Sequence, residues 1–248
     1  MTRADNPAVS VIIATCDRPE LLLDCVASIL ANDFDDFEVV VIDQEPSRLL
    51  RQCLAERFPG EARVRYLFVD RAGASRARNE GVRQARGRIL VFADDDVEVD
   101  RGWLRAYVET FAARPAPGLV QGRLSPRWPA GPPAWLPEEK YYLLGLYDRD
   151  GEARPLPQGD GAITANCAVL REAVAHLPQL FDERVGPSYA RGGLLTGEDT
   201  LLSVKVRQAG YEALYQPAAR AWHKISAAKL APRAFLRRNF WDGATLLT

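Results

Sequence analysis

Four short apolar runs recur in the first part of the chain and constrain its fold more than any other feature. They cover residues 9–15, 37–43, 64–69 and 89–93. Each is short enough for a strand, and the first is β-branched and apolar enough to be covered on both faces. Segments with helical periodicity lie between them, and Pro19 is placed to open the first helix. Strands that alternate with helices predict a parallel, doubly wound, Rossmann-like α/β sheet.

Polar side chains stand at the end of each run. In a doubly wound sheet, ligands bind beyond the carboxyl ends of the strands. We therefore expect a ligand site along this one edge of the sheet. The residues placed there are Thr15, Asp43, Asp70, Asp94, Asp95 and Asp96.

The acidic run Asp94, Asp95 and Asp96 closes the fourth apolar run. Three adjacent carboxylates repel one another unless a cation neutralises them, and Mg²⁺ and Mn²⁺ prefer oxygen ligands. The run therefore favours a divalent metal site. A solvated strand-to-helix turn, in which Asp100 caps the next helix, is the alternative.

Composition limits the class of protein. The 248 residues are 47% apolar and 26% charged, which suits one large α/β domain or two small ones. A net charge of -1 predicts no nucleic-acid partner, because phosphate affinity needs clustered excess Lys and Arg. The four cysteines form no Cys-x-x-Cys pair, so reduced, mostly buried thiols are expected. No apolar signal-peptide core or membrane span is found, which predicts a soluble, cytoplasmic protein.

The chain changes character after a helix predicted over residues 101–113. Prolines interrupt residues 114–137, with Trp128 and Trp135 among them, so a strand near residues 119–124 is the one regular element expected there. The irregular part is either a rigid connection or the wall of a cleft.

Further elements are expected toward the C-terminus. Thr196, Gly197, Glu198 and Asp199 open a helix that ends at Gly210. Residues around Asn166 and a glycine-flanked loop at 186–193 are candidates for shaping a ligand pocket. Short strands are predicted at residues 165–170, 211–216 and 219–223.

The C-terminal stretch, residues 225–248, mixes basic and large apolar side chains. Phe235, Leu236 and Phe240 share one helical face, which predicts an amphipathic helix. Docking on the body of the protein is the favoured role. A peripheral contact with a membrane surface is the alternative.

The glycine-rich loops that usually bind phosphates are missing after the first strand. A cation held by carboxylates could instead bridge to a diphosphate. The pair Glu198 and Asp199 is either a favourable acidic first turn of a helix or a source of a general base. His223 is either a hydrogen-bonded strand residue or a metal ligand.

Seven stretches, taken in order, resemble the family 2 glycosyltransferases. Their order and spacing match over about residues 8–223. The stretches are Val-Ser-Val-Ile-Ile-Ala-Thr ending at Thr15 with Arg18-Pro19, Val-Ile-Asp ending at Asp43, Ala-Arg-Asn-Glu-Gly ending at Gly81, Asp94 to Asp96, Phe181-Asp182-Glu183, Gly197-Glu198-Asp199 and Gly210-Tyr211.

The resemblance implies a GT-A type fold with a smaller mixed C-terminal sheet on the acceptor side. It implies inverting transfer of a sugar from a nucleotide-diphospho-sugar, usually a UDP-sugar, to a hydroxyl acceptor. Residues 1–97 would form the donor-binding half, residues 98–223 the acceptor-binding and catalytic half, and residues 224–248 a helical tail.

The resemblance also implies roles for individual residues. Asp199 matches the catalytic base and Glu198 its supporting neighbour. Asp96 is the leading candidate for the ligand of Mn²⁺ or Mg²⁺, with Asp94 and His223 as further ligands. The donor-binding residues would be Thr15 and Asp43 near the base and ribose, Asp95 near the ribose, and Arg18, Arg78 and Asp94.

Expected partners are the donor and a saccharide, lipid-linked or small-molecule acceptor, as in assembly of cell-envelope polysaccharides, and a homodimer is left open. The Gln-x-x-Arg-Trp signature of processive members is absent, which argues against a polysaccharide synthase. A sugar nucleotidyltransferase and a non-catalytic nucleotide-sugar-binding protein are the alternative functions.

Overall fold

The computed structural model describes residues 6–70, 73–113, 115–185 and 197–245. The predicted loop at 186–193 and Thr196 lie outside these ranges. The strands are β1 (Val9–Thr15), β2 (Phe37–Asp43), β3 (Val64–Phe68), β4 (Ile89–Asp94), β5 (Val97–Val99), β6 (Leu119–Arg127), β7 (Arg154–Pro155), β8 (Asn166–Leu170) and β9 (Ala213–Lys224). The helices are α1 (Pro19–Leu30), α2 (Leu49–Arg57), α3 (Ala74–Gln84), α4 (Trp103–Ala112), α5 (Arg171–Val174), α6 (Glu198–Gln208) and α7 (Pro232–Thr245), with 3-10 helices at Glu138–Leu144 and Ala227–Leu230.

One sheet runs through the described part of the chain, in the order β3-β2-β1-β4-β8-β6-β9-β5, with β7 paired to β9. Strands β1 to β4 are mutually parallel, as predicted. Strand β8 joins β4 and β6 in antiparallel fashion. The mixed strands expected after residue 98 therefore continue the parallel part rather than forming a separate sheet.

Apolar layers cover both faces of the parallel strands. Helix α1 buries Leu22, Cys25, Val26 and Ile29 on one side. Helix α3 approaches the other side so closely that a Cβ atom at Gly81 would lie 2.4 Å from Ile12 Cγ2. Glycine at this position therefore lets α3 pack directly on the sheet. All four cysteines are free, as expected, and Cys25 and Cys167 are buried.

One prediction about the second half of the chain is wrong. The strands expected at 211–216 and 219–223 are the single strand β9, in which pairing to β6 skips residues 217–219. Pro217 has no N–H to donate, yet the strand resumes its pairing beyond this irregularity. Asn166 itself is completely buried, and a pocket shaped by the residues around it stays a prediction. Its amide donates to Arg123 and Ala219 carbonyls and accepts from Trp103 and Tyr107, at 2.7–2.9 Å.

The three-residue strand β5 positions the end of β9. Val97 pairs with His223, and the Lys224 N–H donates to the Asp96 carbonyl at 2.8 Å. His223 is thereby placed beside the acidic run that ends β4. The sequence did not predict β5, because three residues are too few for a recognisable periodicity.

The proline-rich stretch packs against the C-terminal tail. Trp128 contacts Tyr141, and Trp135 contacts Phe235, both edge to face at 5.2 Å. A small apolar cluster of Leu136, Leu144, Leu146 and Ile225, with Leu230 and Phe235 against it, holds the two segments together. No helix in the described part of the chain has the length and apolar character needed to cross a bilayer.

Candidate active site

The carboxyl ends of β1, β2 and β4 meet the start of α6 and the end of β9 at one edge of the sheet. Thr15 lies opposite Asp43 in the β1–β2 register, and Ala14 lies opposite Asp94. Asp43 is completely buried and accepts from the Tyr66 hydroxyl and the Glu45 N–H, each at 2.9 Å. Burial, followed by this bond to Asp43, raises the pKa of Tyr66 to about 12. Asp70, also expected at this edge, is exposed.

Arg78 connects the acidic run to the second acidic pair. Its guanidinium donates to Asp94 Oδ1 at 3.0 Å and to Glu198 Oε1 at 3.2 Å. The Arg78 and Glu198 side chains are only 9% and 7% exposed, so these charges interact with little screening by water. One guanidinium from α3 thus brings together carboxylates that are far apart in sequence.

Asp199 follows Glu198 in the first turn of α6, and no residue within the described ranges forms an ion pair with it. The helix begins after Gly197, whose φ of 99° is readily adopted only by glycine. The Thr200 N–H donates to Asp199 Oδ1 at 2.9 Å. Desolvation and the nearby Glu198 carboxylate raise the pKa of Asp199 to about 7, against the opposing effect of Arg78. We call Asp199, Glu198 and Arg78 the base region.

Asp95 lies in the middle of the run and is completely buried. It accepts from the Thr15 hydroxyl at 2.6 Å and pairs with the Arg18 guanidinium at 2.9 Å. Burial raises the pKa of Asp95 to about 7, although Arg18 and Thr15 oppose the rise. Thr15, Arg18 and Asp95 are therefore joined to one another at this edge.

Asp96 is surrounded by cationic and imidazole groups. His223 Nε2 lies 3.1 Å from Asp96 Oδ1, and Lys229 Nζ and Arg18 Nη1 each lie 3.1 Å from Asp96 Oδ2. Burial alone would raise the pKa of Asp96, but the His223 hydrogen bond and the charges of Lys229 and Arg18 hold it well below its usual range. We call Asp96, His223 and Lys229 the cation region.

The cation region fits a divalent metal in its chemistry. Within the described ranges, no group of three or more His, Cys, Asp and Glu side chains is arranged to hold a metal ion. Asp96 and His223 nevertheless offer buried oxygen and nitrogen atoms 3.1 Å apart. The Lys229 ammonium lies beside both side chains, 3.1 Å from Asp96 Oδ2 and 3.1 Å from His223 Nε2. Metal ions held by one or two protein ligands complete their coordination with water and substrate phosphates.

Lys229 is the site residue that the sequence did not single out. It lies in the basic tail, where Arg233, Arg237 and Arg238 carry the same charge. Nothing in the local sequence distinguishes it from them. Only the docking of Ala227–Leu230 beside the end of β9 brings its ammonium to Asp96.

Known proteins resemble this chain along most of its length. A glucosyl-dolichyl phosphate glucuronosyltransferase of Haloferax volcanii is 23% identical over 238 residues, which cover 95% of this chain and 75% of that protein. Among solved structures, the mannosyltransferase PcManGT of Pyrobaculum calidifontis, in complex with GDP-Man and Mn²⁺, gives a TM-score of 0.67 at 21% identity. TarS of S. aureus, in complex with UDP-GlcNAc, gives 0.64 at 16% identity.

The two solved structures confirm the expected GT-A type α/β fold. At sequence identities of 21% and 16% they are evidence of the fold alone. The matches cover 94% and 97% of this chain but only 61% and 66% of the solved chains. The profile of Glycosyl transferase family 2 matches residues 10–177, more than half of the sequence. This chain therefore belongs to glycosyl transferase family 2.

Proposed function

We propose that this protein is a metal-dependent, inverting glycosyltransferase that moves a sugar from a nucleotide-diphospho-sugar to a hydroxyl acceptor. One observation carries the proposal. Arg78 joins Asp94 to Glu198, so the carboxylate run Asp94 to Asp96 and the raised-pKa carboxylate of Asp199 lie at the same sheet edge. A transfer reaction needs both: charge stabilisation for the departing diphosphate and a proton acceptor for the attacking hydroxyl.

Asp199 is the proposed general base. It takes the proton of the acceptor hydroxyl while that oxygen forms a bond to the anomeric carbon of the sugar. The bond from this carbon to the diphosphate oxygen breaks on the opposite side, so the configuration inverts. A pKa of about 7 suits this task, because general bases work best when their pKa lies near the working pH.

Glu198 and Arg78 would position the base. The ion pair to Arg78 fixes Glu198 in the first turn of α6, directly before Asp199. Arg78 also limits the pKa of Asp199, since its positive charge favours the ionised carboxylate. Glu198 is therefore a positioning residue in this proposal, and Asp199 is the catalytic one.

The donor would bind along the carboxyl ends of β1, β2 and β4. Thr15, Asp43 and Asp95 would face the base and ribose, and Arg18 and Arg78 would lie toward the diphosphate. In the native state Thr15 and Arg18 already contact Asp95, and Arg78 already contacts Asp94. Such ordering lowers the entropy lost when a ligand binds.

Asp96 and His223 would hold Mn²⁺ or Mg²⁺, with Asp94 as a further ligand. When bound, the metal would neutralise negative charge on the departing diphosphate. The solved complex of PcManGT with GDP-Man and Mn²⁺ supports, by analogy of fold, a nucleotide-diphospho-sugar as donor and a divalent metal ion. We propose a UDP-sugar as donor, in line with the UDP-GlcNAc complex of TarS.

A saccharide or lipid-linked hydroxyl is the proposed acceptor, since the Haloferax volcanii relative is named for a glucosyl-dolichyl phosphate substrate. Helix α7 would favour the lipid-linked class. Its Leu236 and Phe240 are 65% and 70% exposed, with Arg233 and Arg237 also exposed beside them. Exposed apolar and basic side chains on one helix suit a peripheral contact with anionic lipid. Sedimentation of the protein with phosphatidylglycerol vesicles would support this contact if it is weakened in Leu236→Glu.

The homodimer left open by the sequence is a separate question, which light scattering would test.

Donor hydrolysis tests the proposed reaction without knowledge of the acceptor. The full chain is incubated with Mn²⁺ and, in turn, UDP-glucose, UDP-GlcNAc, UDP-glucuronic acid and GDP-mannose. We expect release of a nucleoside diphosphate from one of them. The free sugar should initially have the β configuration by NMR, because each of these donors is α-linked.

Thermal denaturation with the same ligands provides the binding control, because a ligand that binds the native state raises the melting temperature. Release of an α sugar would contradict inversion. Binding of UDP without hydrolysis or transfer would favour the non-catalytic alternative, and pyrophosphate release from a nucleoside triphosphate would favour a nucleotidyltransferase.

A further inference from the structure

The position of Lys229 singles it out within the cation region. Its ammonium lies 3.1 Å from Asp96 Oδ2 and 3.1 Å from His223 Nε2. These are the two side chains that would hold the metal. A cation of the protein itself therefore contacts both of these side chains.

Arg18 also contacts Asp96, but in a different manner. Its guanidinium also pairs with Asp95, at 2.9 Å. That pair involves neither Asp96 nor His223, so Arg18 can keep it when a metal meets both side chains. The Lys229 ammonium cannot keep its contact with His223 Nε2, since a metal bound to that nitrogen would place a second cation at close range.

The backbone around Lys229 allows it to leave. Lys229 belongs to the short 3-10 helix Ala227–Leu230, which contains no buried residue. Its side chain is 41% exposed, whereas Asp96 and His223 are 6% and 5% exposed. A lysine has a flexible four-carbon stem, so its ammonium can move without a large shift of the main chain.

We propose that Lys229 is a resident cation that neutralises Asp96 in the metal-free enzyme and must be displaced before a divalent metal can bind. This inference rests on the proposed metal site. It assigns the tail a role in the site: Lys229 competes with the metal, and its displacement removes one of the contacts that dock residues 226–231. Leu230 of this segment also packs on the small apolar cluster.

Direct Mn²⁺ titration of the donor-free full chain tests the competition. Free Mn²⁺ is measured by electron paramagnetic resonance for the wild type and for Lys229→Met, which keeps the length of the side chain and removes its charge. We expect Mn²⁺ to bind about tenfold tighter to Lys229→Met. A tenfold difference corresponds to a wild type in which Lys229 leaves the site free in about one molecule in ten.

Lys224→Met is the matched control. It removes the same charge from a lysine at the end of β9, but Lys224 Nζ pairs with Asp24, at 2.7 Å. Its Mn²⁺ affinity should stay within about twofold of the wild type, because charges screened by solvent act weakly at a distance. A tenfold gain in this control would show a general charge effect and overturn the specific role of Lys229.

Hydrogen exchange gives a readout that does not depend on turnover. In the wild type, Mn²⁺ should speed amide exchange over residues 226–231, because the contact of Lys229 with Asp96 is lost. In Lys229→Met, exchange there should be fast before Mn²⁺ is added and unchanged afterward. Slower exchange of this segment upon Mn²⁺ addition would overturn the proposal.

Failure of this inference can be told apart from failure of the proposed function. Equal or weaker Mn²⁺ binding by Lys229→Met, with Mn²⁺-dependent donor hydrolysis intact, would remove only the role of Lys229. Donor binding that is insensitive to EDTA but lost in Lys229→Met would mean that lysine replaces the metal. That result would overturn the competition and the metal part of the proposed function together.

Discussion

The base region and the cation region shift the pKa of an aspartate carboxyl group in opposite directions. At the base region, the guanidinium of Arg78 pairs with Glu198 and also with Asp94, and the pKa of Asp199 rises to about 7. In the cation region, Asp96 has Arg18, Lys229 and His223 around one carboxylate, and its pKa is held well below the usual range.

The comparison indicates that the number of cationic neighbours, and not burial alone, decides whether the pKa of each carboxylate is raised or lowered. Burial would raise the pKa of Asp96 as it does that of Asp199. A carboxylate with too few cationic neighbours can accept a proton near neutral pH. A carboxylate with several remains an anion and is suited to a metal.

The largest effect is expected for Asp199→Asn. The amide cannot accept the proton, so kcat for donor hydrolysis or transfer should fall about 1,000-fold, a typical loss for a missing general base. Donor affinity, measured by calorimetry, should change by less than about twofold. Asp24→Asn alters an exposed carboxylate on α1 and should leave both quantities unchanged. Turnover by Asp199→Asn near the wild-type rate would remove Asp199 as the base.

Asp96→Asn tests the other region. We expect kcat/KM to fall about 100-fold, because a metal without its carboxylate ligand stabilises less charge on the leaving group. Mn²⁺ affinity should fall with it, as measured by the titration described above. Full activity of Asp96→Asn in the presence of EDTA would show that the proposed metal has no part in turnover.

Arg78→Met should disturb both stability and the base region. Removing one partner of a buried ion pair leaves the other charge uncompensated, and we expect a loss of about 3 kcal/mol in the free energy of unfolding by urea. Arg83→Met is the control, since its pair with Glu80 lies on the helix surface and should contribute no more than about 0.5 kcal/mol. Equal losses in the two variants would contradict the special position of Arg78.

The pH dependence should show the smallest effect, about tenfold per pH unit. Asp199 must lose its proton to act as a base, and its pKa is about 7. The value of kcat/KM for donor hydrolysis should therefore be constant above pH 7 and decline below it. In Arg78→Met the midpoint should move to higher pH, because Arg78 lowers the pKa of Asp199. A profile that is flat down to pH 5 would contradict this assignment.

Much of the parallel half follows from the sequence, and less of the site does. The four apolar runs predicted β1 to β4, because parallel strands covered on both faces are apolar over most of their length. Thr15, Asp43 and the acidic run then fall at one edge by topology alone. The contact of Arg78 with Glu198 could not be read in this way, since it joins α3 to a helix that begins much later in the chain.

The cation region was the hardest part to predict. His223 reaches Asp96 through the three residues of β5, and Lys229 reaches both through a short turn with no buried residue. Neither element has a periodicity that could be recognised in the sequence. The roles assigned to the donor, metal and base residues stay predictions that the experiments above address. The division of the chain after residues 97 and 223 also stays a prediction.

The pKa of Asp199 is the quantity on which the comparison of the two regions depends, and carboxyl carbon NMR measures it directly. Protein labelled with ¹³C at aspartate carboxyls is titrated with pH, and Asp199→Asn and Asp95→Asn assign the two resonances expected near neutrality. We predict that the Asp199 resonance titrates near pH 7. An Asp199 resonance that titrates near pH 4, like an exposed aspartate, would contradict the assignment of the base.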